Sequence, residues 1–168
     1  MSVTLEKPEW LKRRISNIDT IEETIEILKR LSLNTVCDGA QCPNIGECFG
    51  NKTATFMILG SVCTRQCRFC AVTKGKAETV NHSEPENIGM ACKEMDLKHV
   101  VVTSVTRDDL PDGGAEHYAK TVNEIKKYNP YSTVELLIPD LKGNWEALEA
   151  IVNSKPDIIN HNLETVKT

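Results

Sequence analysis

The first apolar pattern in the chain has helical spacing. After Ser16, four apolar residues recur at intervals of three or four, which places them on one face of an α-helix. These residues are Ile21, Ile25, Leu28 and Leu31. We therefore predict a helix in the segment after Ser16, with Thr20 and Glu23 as a capping-box pair, that ends before a loop near Asn34.

Four short apolar runs farther along the chain predict strands. They span residues 54–59, 99–104, 133–138 and 157–160. Segments with helical spacing separate them: the first is capped by Ser83 and Glu86, the second runs to about Tyr128, and the third follows Asn144. This alternation favours parallel strands joined by right-handed crossovers, and the near-continuous apolar runs indicate burial on both faces of the sheet.

The number of predicted strands limits the fold. The chain has 168 residues, whereas a closed eight-stranded (β/α) barrel typically needs about 250 residues. We therefore predict an α/β fold with about four βα units, either an incomplete barrel or an open sheet. An N-terminal extension precedes the first strand.

Composition excludes several classes of partner. The chain is 40% hydrophobic and has a net charge of −4, with acidic and basic residues interspersed. A basic stripe that would bind nucleic acid is missing, and no apolar run approaches the roughly 20 residues that span a bilayer. The first ten residues resemble neither a signal peptide nor a transit peptide. We therefore expect a cytoplasmic protein that binds neither nucleic acid nor membranes.

Cysteine content changes this ordinary picture. The chain contains seven cysteines, and six of them lie between Cys37 and Cys70. In a reducing cytoplasm such a density is better explained by metal or cluster ligation than by disulfides. Residues 37–50 also show no helical or strand spacing, so we expect a loop that a metal centre holds in place.

The first candidate site is the triplet of Cys63, Cys67 and Cys70, which directly follows the first predicted strand. Parallel sheets place their chemistry at the carboxyl ends of their strands. Three thiolates can hold three irons of a 4Fe–4S cluster and leave the fourth iron open. A structural zinc site is the alternative, but zinc usually takes four ligands and no fourth ligand is obvious here. Simple burial of these cysteines fits poorly with the neighbouring Arg65 and Arg68.

A second triplet precedes the first strand. Cys37, Cys42 and Cys48 are separated by four and then five residues. Alone, they are compatible with a zinc loop or a redox disulfide. Beside the first triplet, a second iron–sulfur cluster is the favoured interpretation.

The spacing of the first triplet, with Phe69 before its last cysteine, resembles the radical S-adenosylmethionine superfamily. Together, both triplets and a series of short segments resemble lipoyl synthases. The segments are KPEWL (7–11), TVC (35–37), CPNIGEC (42–48), TATFMILG (53–60), CTR (63–65), VTSV (102–105), RDDL (107–110), DGGA (112–115), IPD (138–140) and HNLETV (161–166). The resemblance extends over essentially the whole chain.

This resemblance implies a function. The family would use two 4Fe–4S clusters and S-adenosylmethionine, whose reductive cleavage yields a radical that abstracts hydrogen from an octanoyl chain on a lipoyl carrier domain. Two sulfur atoms from the second cluster, bound by Cys37, Cys42 and Cys48, are then inserted. An electron donor such as ferredoxin or flavodoxin is also implied. Residues 1–52 would form an extension with the auxiliary cluster loop, and residues 53–168 a partial radical S-adenosylmethionine barrel.

The resemblance also suggests cofactor contacts. The implied contacts for S-adenosylmethionine or substrate are Thr103, Ser104, Asn162 and Glu164. The family continues beyond the final motif, through later barrel strands and a serine that ligates the second cluster. We therefore expect either a complementary C-terminal polypeptide or a truncated chain. The alternative functions are an inactive iron–sulfur-binding fragment and a zinc-stabilised structural module.

Other polar residues have simpler interpretations. Arg107, Asp108 and Asp109 form a charged turn that, in the family, borders the cofactor pocket. Cys92 lies on the apolar face of a predicted helix, where a small core residue is expected. The remaining groups are expected to be structural or at the surface: Gly113 and Gly114 as a turn, and His82, His99, His117 and His161 without a ligand pattern.

Overall fold

The computed structural model describes residues 18–39, 44–50 and 53–163. Within these ranges the helices are α1 (Ile18–Arg30), α2 (Val36–Gly39), α3 (Ile45–Gly50), α4 (Glu84–Glu94), α5 (Ala115–Tyr128) and α6 (Trp145–Asn153). The strands are β1 (Thr53–Ile58), β2 (Val62–Cys63), β3 (Thr73–Lys74), β4 (His99–Ser104), β5 (Thr133–Leu137) and β6 (Ile158–Asn160). Among the described helices, none combines the length and apolarity needed to cross a bilayer.

The main sheet confirms the predicted α/β architecture. Its strands lie in the order β1, β4, β5, β6, and every neighbouring pair is parallel. Each successive strand of the main sheet is therefore added on the same side of the strand before it. Right-handed crossovers of this kind place the connecting helices on one face, where α5 packs between α4 and α6. This is the arrangement of a partial (β/α) barrel.

The helix-facing side of the sheet contains the core. Phe56, Val102 and Leu136, one from each of three neighbouring strands, are fully buried there. The opposite face is different, because alternate residues of β4 and β5 remain partly exposed and all of β6 is exposed. The prediction that both faces are buried is therefore wrong for these three strands. Helices cover one face only, within the part of the chain that the structure describes.

The N-terminal helices cover the outer edge of β1. Thr35 forms an antiparallel bridge with Phe56, and the Met57 amide donates to the Asn34 carbonyl at 2.9 Å. Cys37 of α2 and Phe49 of α3 are buried in the same core as the strand. Hydrogen bonding and apolar burial thus join the described part of the extension to the sheet.

Two sequence predictions fail in this region. Helix α1 begins at Ile18, so Thr20 lies inside the helix and cannot cap it as predicted. The expected irregular loop 37–50 contains the short helices α2 and α3. Both helices pack against β1, so tertiary contacts supply the stability that their sequence pattern lacks.

Helix α4 confirms the structural interpretation of Cys92. Its side chain is fully buried beside Ile88 and Ala91, and burial raises the pKa of the thiol well above its ordinary range. A protonated thiol is a poor metal ligand, because metals and clusters bind the thiolate. Ser83 precedes the helix as expected, although its side chain makes no capping hydrogen bond.

We predict that Cys92→Ala lowers the free energy of unfolding by about 1–2 kcal/mol, because it removes a buried sulfur from a packed core. Urea denaturation of the cluster-free protein measures this loss. Iron content after reconstitution should remain that of the unchanged protein. A loss of iron comparable to that of Cys67→Ala would show that Cys92 is a ligand instead.

Candidate metal centre

A short parallel pair of strands closes the loop that carries the first cysteine triplet. Val62 pairs with Thr73 and Cys63 with Lys74, so β2 and β3 bring the two ends of the loop together. The Cys63 carbonyl also accepts the Gly75 amide at 3.0 Å. This pair was not predicted, since two-residue strands have no periodicity. The loop between them contains Cys67 and Cys70, and β2 begins four residues after the last residue of β1.

The turn between β1 and this loop has an unusual backbone. Leu59 and Gly60 have φ angles of 70° and 100°. A left-handed conformation costs a bulky residue such as leucine about 1–3 kcal/mol and persists only where the surroundings enforce it. At position 60 a Cβ atom would overlap Glu78 Oε2. The Ser61 amide donates to that same oxygen at 2.6 Å, so glycine is required for this contact.

The sulfur of Cys63 lies among backbone donors. Its Sγ accepts the amides of Thr106 at 3.4 Å and of Arg65 at 3.5 Å. Thr64 strengthens the link to the loop after β4, because its amide and its hydroxyl both donate to the Thr106 carbonyl, at 3.1 and 2.9 Å. Amide donors near a ligand sulfur orient it and tune a bound cluster.

Arg65 joins three loops at the carboxyl edge of the sheet. Its Nε and Nη2 donate to both carboxylate oxygens of Asp108, at 2.8 and 2.9 Å. Its Nη1 and Nη2 also donate to both oxygens of Asp140, at 2.8 and 2.7 Å. Asp108 follows β4 and Asp140 follows β5. Two edges of the planar guanidinium thus each bind one carboxylate, a geometry that a lysine cannot reproduce.

The charges of this cluster stabilise one another. Hydrogen bonds from Arg65 are the main reason why the pKa of Asp140 falls to about 2 and why that of Asp108 lies below its ordinary value. The same bonds raise the pKa of Arg65. All three groups therefore remain charged at neutral pH. Lys142 contributes a further bond from its Nζ to the Asp108 carbonyl at 3.0 Å.

The cysteine loop fits a cluster. Cys63, Cys67 and Cys70 are thiols outside disulfides, and Cys67 is exposed. Among the described residues, no three His, Cys, Asp or Glu side chains converge as ligands of a single metal ion. Zinc requires such convergence, with sulfurs about 2.3 Å from one centre, whereas cluster cysteines bind separate irons. The donor set of three thiols on a closed loop, with amides at Cys63, suits a 4Fe–4S cluster.

The second triplet lies elsewhere. Cys37 is buried in α2, Cys48 is half-buried in α3, and Cys42 falls outside the described residues. Phe49, next to Cys48, shares a cavity of about 240 Å³ with Thr53 and Leu97, at the amino ends of β1 and β4. Cys63 follows the opposite end of β1, a strand of six residues that spans about 20 Å. The two described cysteines of the second triplet thus belong to helices beside β1, and Cys63 belongs to the loop after that strand.

The residues predicted to contact the cofactor are divided between two sides of the sheet. Thr103 points to the open face, where its hydroxyl donates to the Leu137 carbonyl at 3.0 Å. Alternation places Ser104 on the helix side, and its buried hydroxyl oxygen has no hydrogen-bond partner among the described residues. Asn162 is exposed beyond β6, and Glu164 lies outside the described residues. His161, which precedes Asn162, is exposed, and its Nδ1 lies 3.0 Å from the carbonyl oxygen of Ile138.

Several structural contacts at this edge were missed in the sequence. His117 was expected at the surface but is buried, with Nε2 2.7 Å from Glu84 Oε2. Asp112 accepts the amides of Gly114 and Glu116 at 2.9 and 2.8 Å, and so caps α5. Asp112 before a pair of glycines and a helix is a recognisable cap signal. A buried pair such as Glu84 and His117 has no such signal, because its members are 33 residues apart.

We predict that Asp140→Asn destabilises the cluster-free protein at pH 7 by about 1 kcal/mol or less, since half of the Asp140 side chain is exposed. The folded pKa of Asp140, about 2, lies below the ordinary 3.8. Its contribution is therefore present above about pH 4 and is lost as the pH falls toward 2. Urea denaturation at several pH values measures the difference.

The Arg65→Ala background provides the control for this prediction. Without the guanidinium, Asp140→Asn should have a much smaller effect, and the pH dependence of that effect should disappear. A stability difference between the unchanged protein and the Asp140→Asn variant that stays constant from about pH 2 to pH 7 would contradict the role assigned to the pair.

Comparison with known proteins agrees with this geometry. The sequence model of the Radical SAM superfamily matches residues 57–168. The chain is 57% identical over 164 residues to the lipoyl synthase of Caldanaerobacter subterraneus subsp. tengcongensis, covering 98% of this chain and 57% of that protein. It is 56% identical over 160 residues to the lipoyl synthases of Caldicellulosiruptor saccharolyticus and Alkaliphilus metalliredigens, covering 95% of this chain and 56% and 55% of those proteins.

The chain thus spans little more than half the length of the curated relatives that it matches. The match to the superfamily begins inside β1 and includes the cysteine loop and the whole of the four-stranded sheet after Phe56. With a parallel sheet and a three-cysteine loop at its carboxyl edge, the chain belongs to the radical SAM superfamily.

Proposed function

We propose that this chain supplies the cluster-binding and S-adenosylmethionine-binding part of a lipoyl synthase, which inserts two sulfur atoms into an octanoyl group on a lipoyl carrier domain. The observation that supports this most is the closed loop of Cys63, Cys67 and Cys70, held by Arg65 against the loops after β4 and β5. The named relatives supply the reaction. In this proposal residues 1–52 form the extension and residues 53–168 the partial barrel.

Membership of the superfamily implies a 4Fe–4S cluster and S-adenosylmethionine. Bound in this way, the cluster would supply one-electron radical chemistry to the site. Cys63, Cys67 and Cys70 would hold it, and the amides of Arg65 and Thr106 would orient the Cys63 sulfur. The carboxylates of Asp108 and Asp140 neutralise the charge of Arg65. This side chain therefore positions the loop rather than binding an anion.

The proposed cofactor contacts differ in how well the structure supports them. Thr103 lies beside Met57 and Leu137 in neighbouring strands, and these three form the last row of residues on the open face before the cysteine loop. This position favours Thr103 as a cofactor contact. Ser104 would contribute its backbone, since its side chain faces the helices. Asn162 and Glu164 would act from the segment after β6, where His161 and Asn162 are exposed.

A second cluster on Cys37, Cys42 and Cys48 is the least supported part of the proposal. Cys37 and Cys48 lie in α2 and α3, which pack against β1, whereas Cys63 lies in the loop beyond the carboxyl end of that strand. The alternative is that this chain alone binds clusters without inserting sulfur.

Other partners follow from the proposed reaction. They are an octanoylated carrier domain, an electron donor such as ferredoxin or flavodoxin, and a complementary C-terminal polypeptide. Exposed apolar side chains support the last of these: Trp145, Ile158 and Ile159 surround the free edge of β6. A reducing cytoplasm is the proposed location, because the described thiols of the cysteine loop are free.

We predict that anaerobic reconstitution loads iron and acid-labile sulfide onto the loop of Cys63, Cys67 and Cys70. Cys67→Ala should lower the iron content by one cluster per chain, because one of three required thiolates is lost. Iron and sulfide analysis with electron paramagnetic resonance measures this, and Cys92→Ala is the matched cysteine control. Stoichiometric zinc without labile sulfide would support the structural zinc module instead.

We also predict that this chain alone cleaves S-adenosylmethionine slowly and does not form lipoyl groups. One face of the sheet is open in the described structure, so water has access to the reacting centre. Misplacement of an octanoyl chain by about 1 Å can cost about a hundredfold in rate. A single-turnover assay with reductant and an octanoylated carrier domain, followed by intact mass, tests this. A gain of two sulfurs would contradict it.

A further inference from the structure

The turn before the cysteine loop is held by a buried carboxylate. Glu84, the first residue of α4, is 3% exposed. Its Oε2 accepts the Leu59 amide at 2.8 Å and lies 2.7 Å from His117 Nε2. The first residue of α4 therefore binds the backbone amide of Leu59, which lies 25 positions earlier in the chain, and a side chain of α5 contacts the same carboxylate.

A buried cation holds the other side of the same residue. Arg107 is 3% exposed, and its Nη1 donates to the Leu59 carbonyl at 3.0 Å. Asp109 accepts from Nε and Nη2 of Arg107 at 2.9 and 2.8 Å, which fixes the guanidinium. Gly114 leaves the space that the Leu59 side chain fills, because a Cβ there would overlap Leu59 Cδ1. The amide, carbonyl and side chain of Leu59 are all constrained.

Stability alone does not account for this arrangement. Burying a polar side chain carries a desolvation cost that its hydrogen bonds must offset, so apolar residues of similar size often stabilise a core as well. Here the buried polar residues Glu84, His117 and Arg107 surround a leucine with a left-handed backbone, φ 70°. Such a conformation survives only where several contacts enforce it, and it is typical of functional sites. The enforced residue lies four positions before Cys63, whose sulfur receives two amides.

We propose that Glu84 and His117 are positioning residues that fix the turn of Leu59, Gly60 and Ser61 and thereby place the sulfur of Cys63 for the cluster. This inference rests on the proposed cluster site but not on sulfur insertion. Glu84 fixes the Leu59 amide, and His117 holds the Glu84 carboxylate in place. Neither side chain contacts a cysteine. Both act through the backbone that leads into the loop.

The test uses the full chain with Cys37, Cys42 and Cys48 changed to alanine, so that bound iron reports one site. Glu84→Ala should weaken iron retention against a chelator by about tenfold to a hundredfold, the usual effect of removing an outer contact from a metal ligand. Glu84→Gln retains an acceptor for the Leu59 amide and should restore most of the retention. His117→Gln should give an intermediate loss.

A second measurement needs no cluster. Hydrogen exchange at the Leu59 and Ser61 amides of the iron-free protein should accelerate in Glu84→Ala and His117→Gln, with little change in β5. Cys92→Ala is the matched control, because Cys92 is buried on the same helix, eight residues after Glu84. It should lower the unfolding midpoint without accelerating exchange at Leu59 or releasing iron.

Three results would overturn the inference. These are unchanged exchange at Leu59 in Glu84→Ala, iron retention equal to that of the unchanged background, or equal iron loss in Cys92→Ala at a matched unfolding midpoint. If Glu84→Ala does not fold, His117→Gln and Glu84→Gln decide by the same exchange and retention readouts. If the triple-alanine background itself binds no iron, the cluster assignment fails, and the exchange measurement still decides whether the pair positions the turn.

Discussion

The candidate site depends on the guanidinium of Arg65 and the two carboxylates that it bridges. The loop around it has little apolar packing, since Cys67 is exposed and 70% of the Phe69 side chain is accessible. Four charge-assisted hydrogen bonds to Asp108 and Asp140 supply the order that packing does not. Because these acids follow β4 and β5, the position of the cysteine loop is set by the spacing of three adjacent strands.

The two ends of the sheet interior use different chemistry. Between helices and sheet the core is apolar, with Phe56, Val102 and Ile151 fully buried. At the carboxyl edge the buried groups are charged, namely Glu84 and Arg107. Apolar burial is non-directional and holds the layers together. Charged hydrogen bonds are directional, so they hold the Leu59 backbone in a conformation that apolar contacts alone would not enforce.

The described cysteines belong to different parts of the fold. The loop of Cys63 lies at the carboxyl edge of the sheet, while Cys37 and Cys48 lie in the short helices that pack against β1. Binding of a cluster by the first loop would need only that loop and its supports, so it can be tested apart from sulfur insertion.

The sequence by itself determined the architecture and supplied the candidate ligands. Apolar periodicity predicted the four parallel strands and the helices between them, since burial depends on local spacing that can be read along the chain. Cysteine spacing and local motifs singled out the loop of Cys63, Cys67 and Cys70 as a candidate cluster site. The Asp112 cap was missed, although a helix start uses residues that are adjacent in sequence and carries a recognisable local signal.

Only the tertiary structure decided what holds the site in place. Arg65 meets Asp140 across 75 positions and Glu84 meets His117 across 33, and such pairs have no periodicity to reveal them. The short helices α2 and α3 and the partly exposed face of β4 and β5 also required the structure. Each of these depends on which surfaces meet in space, which local spacing does not encode.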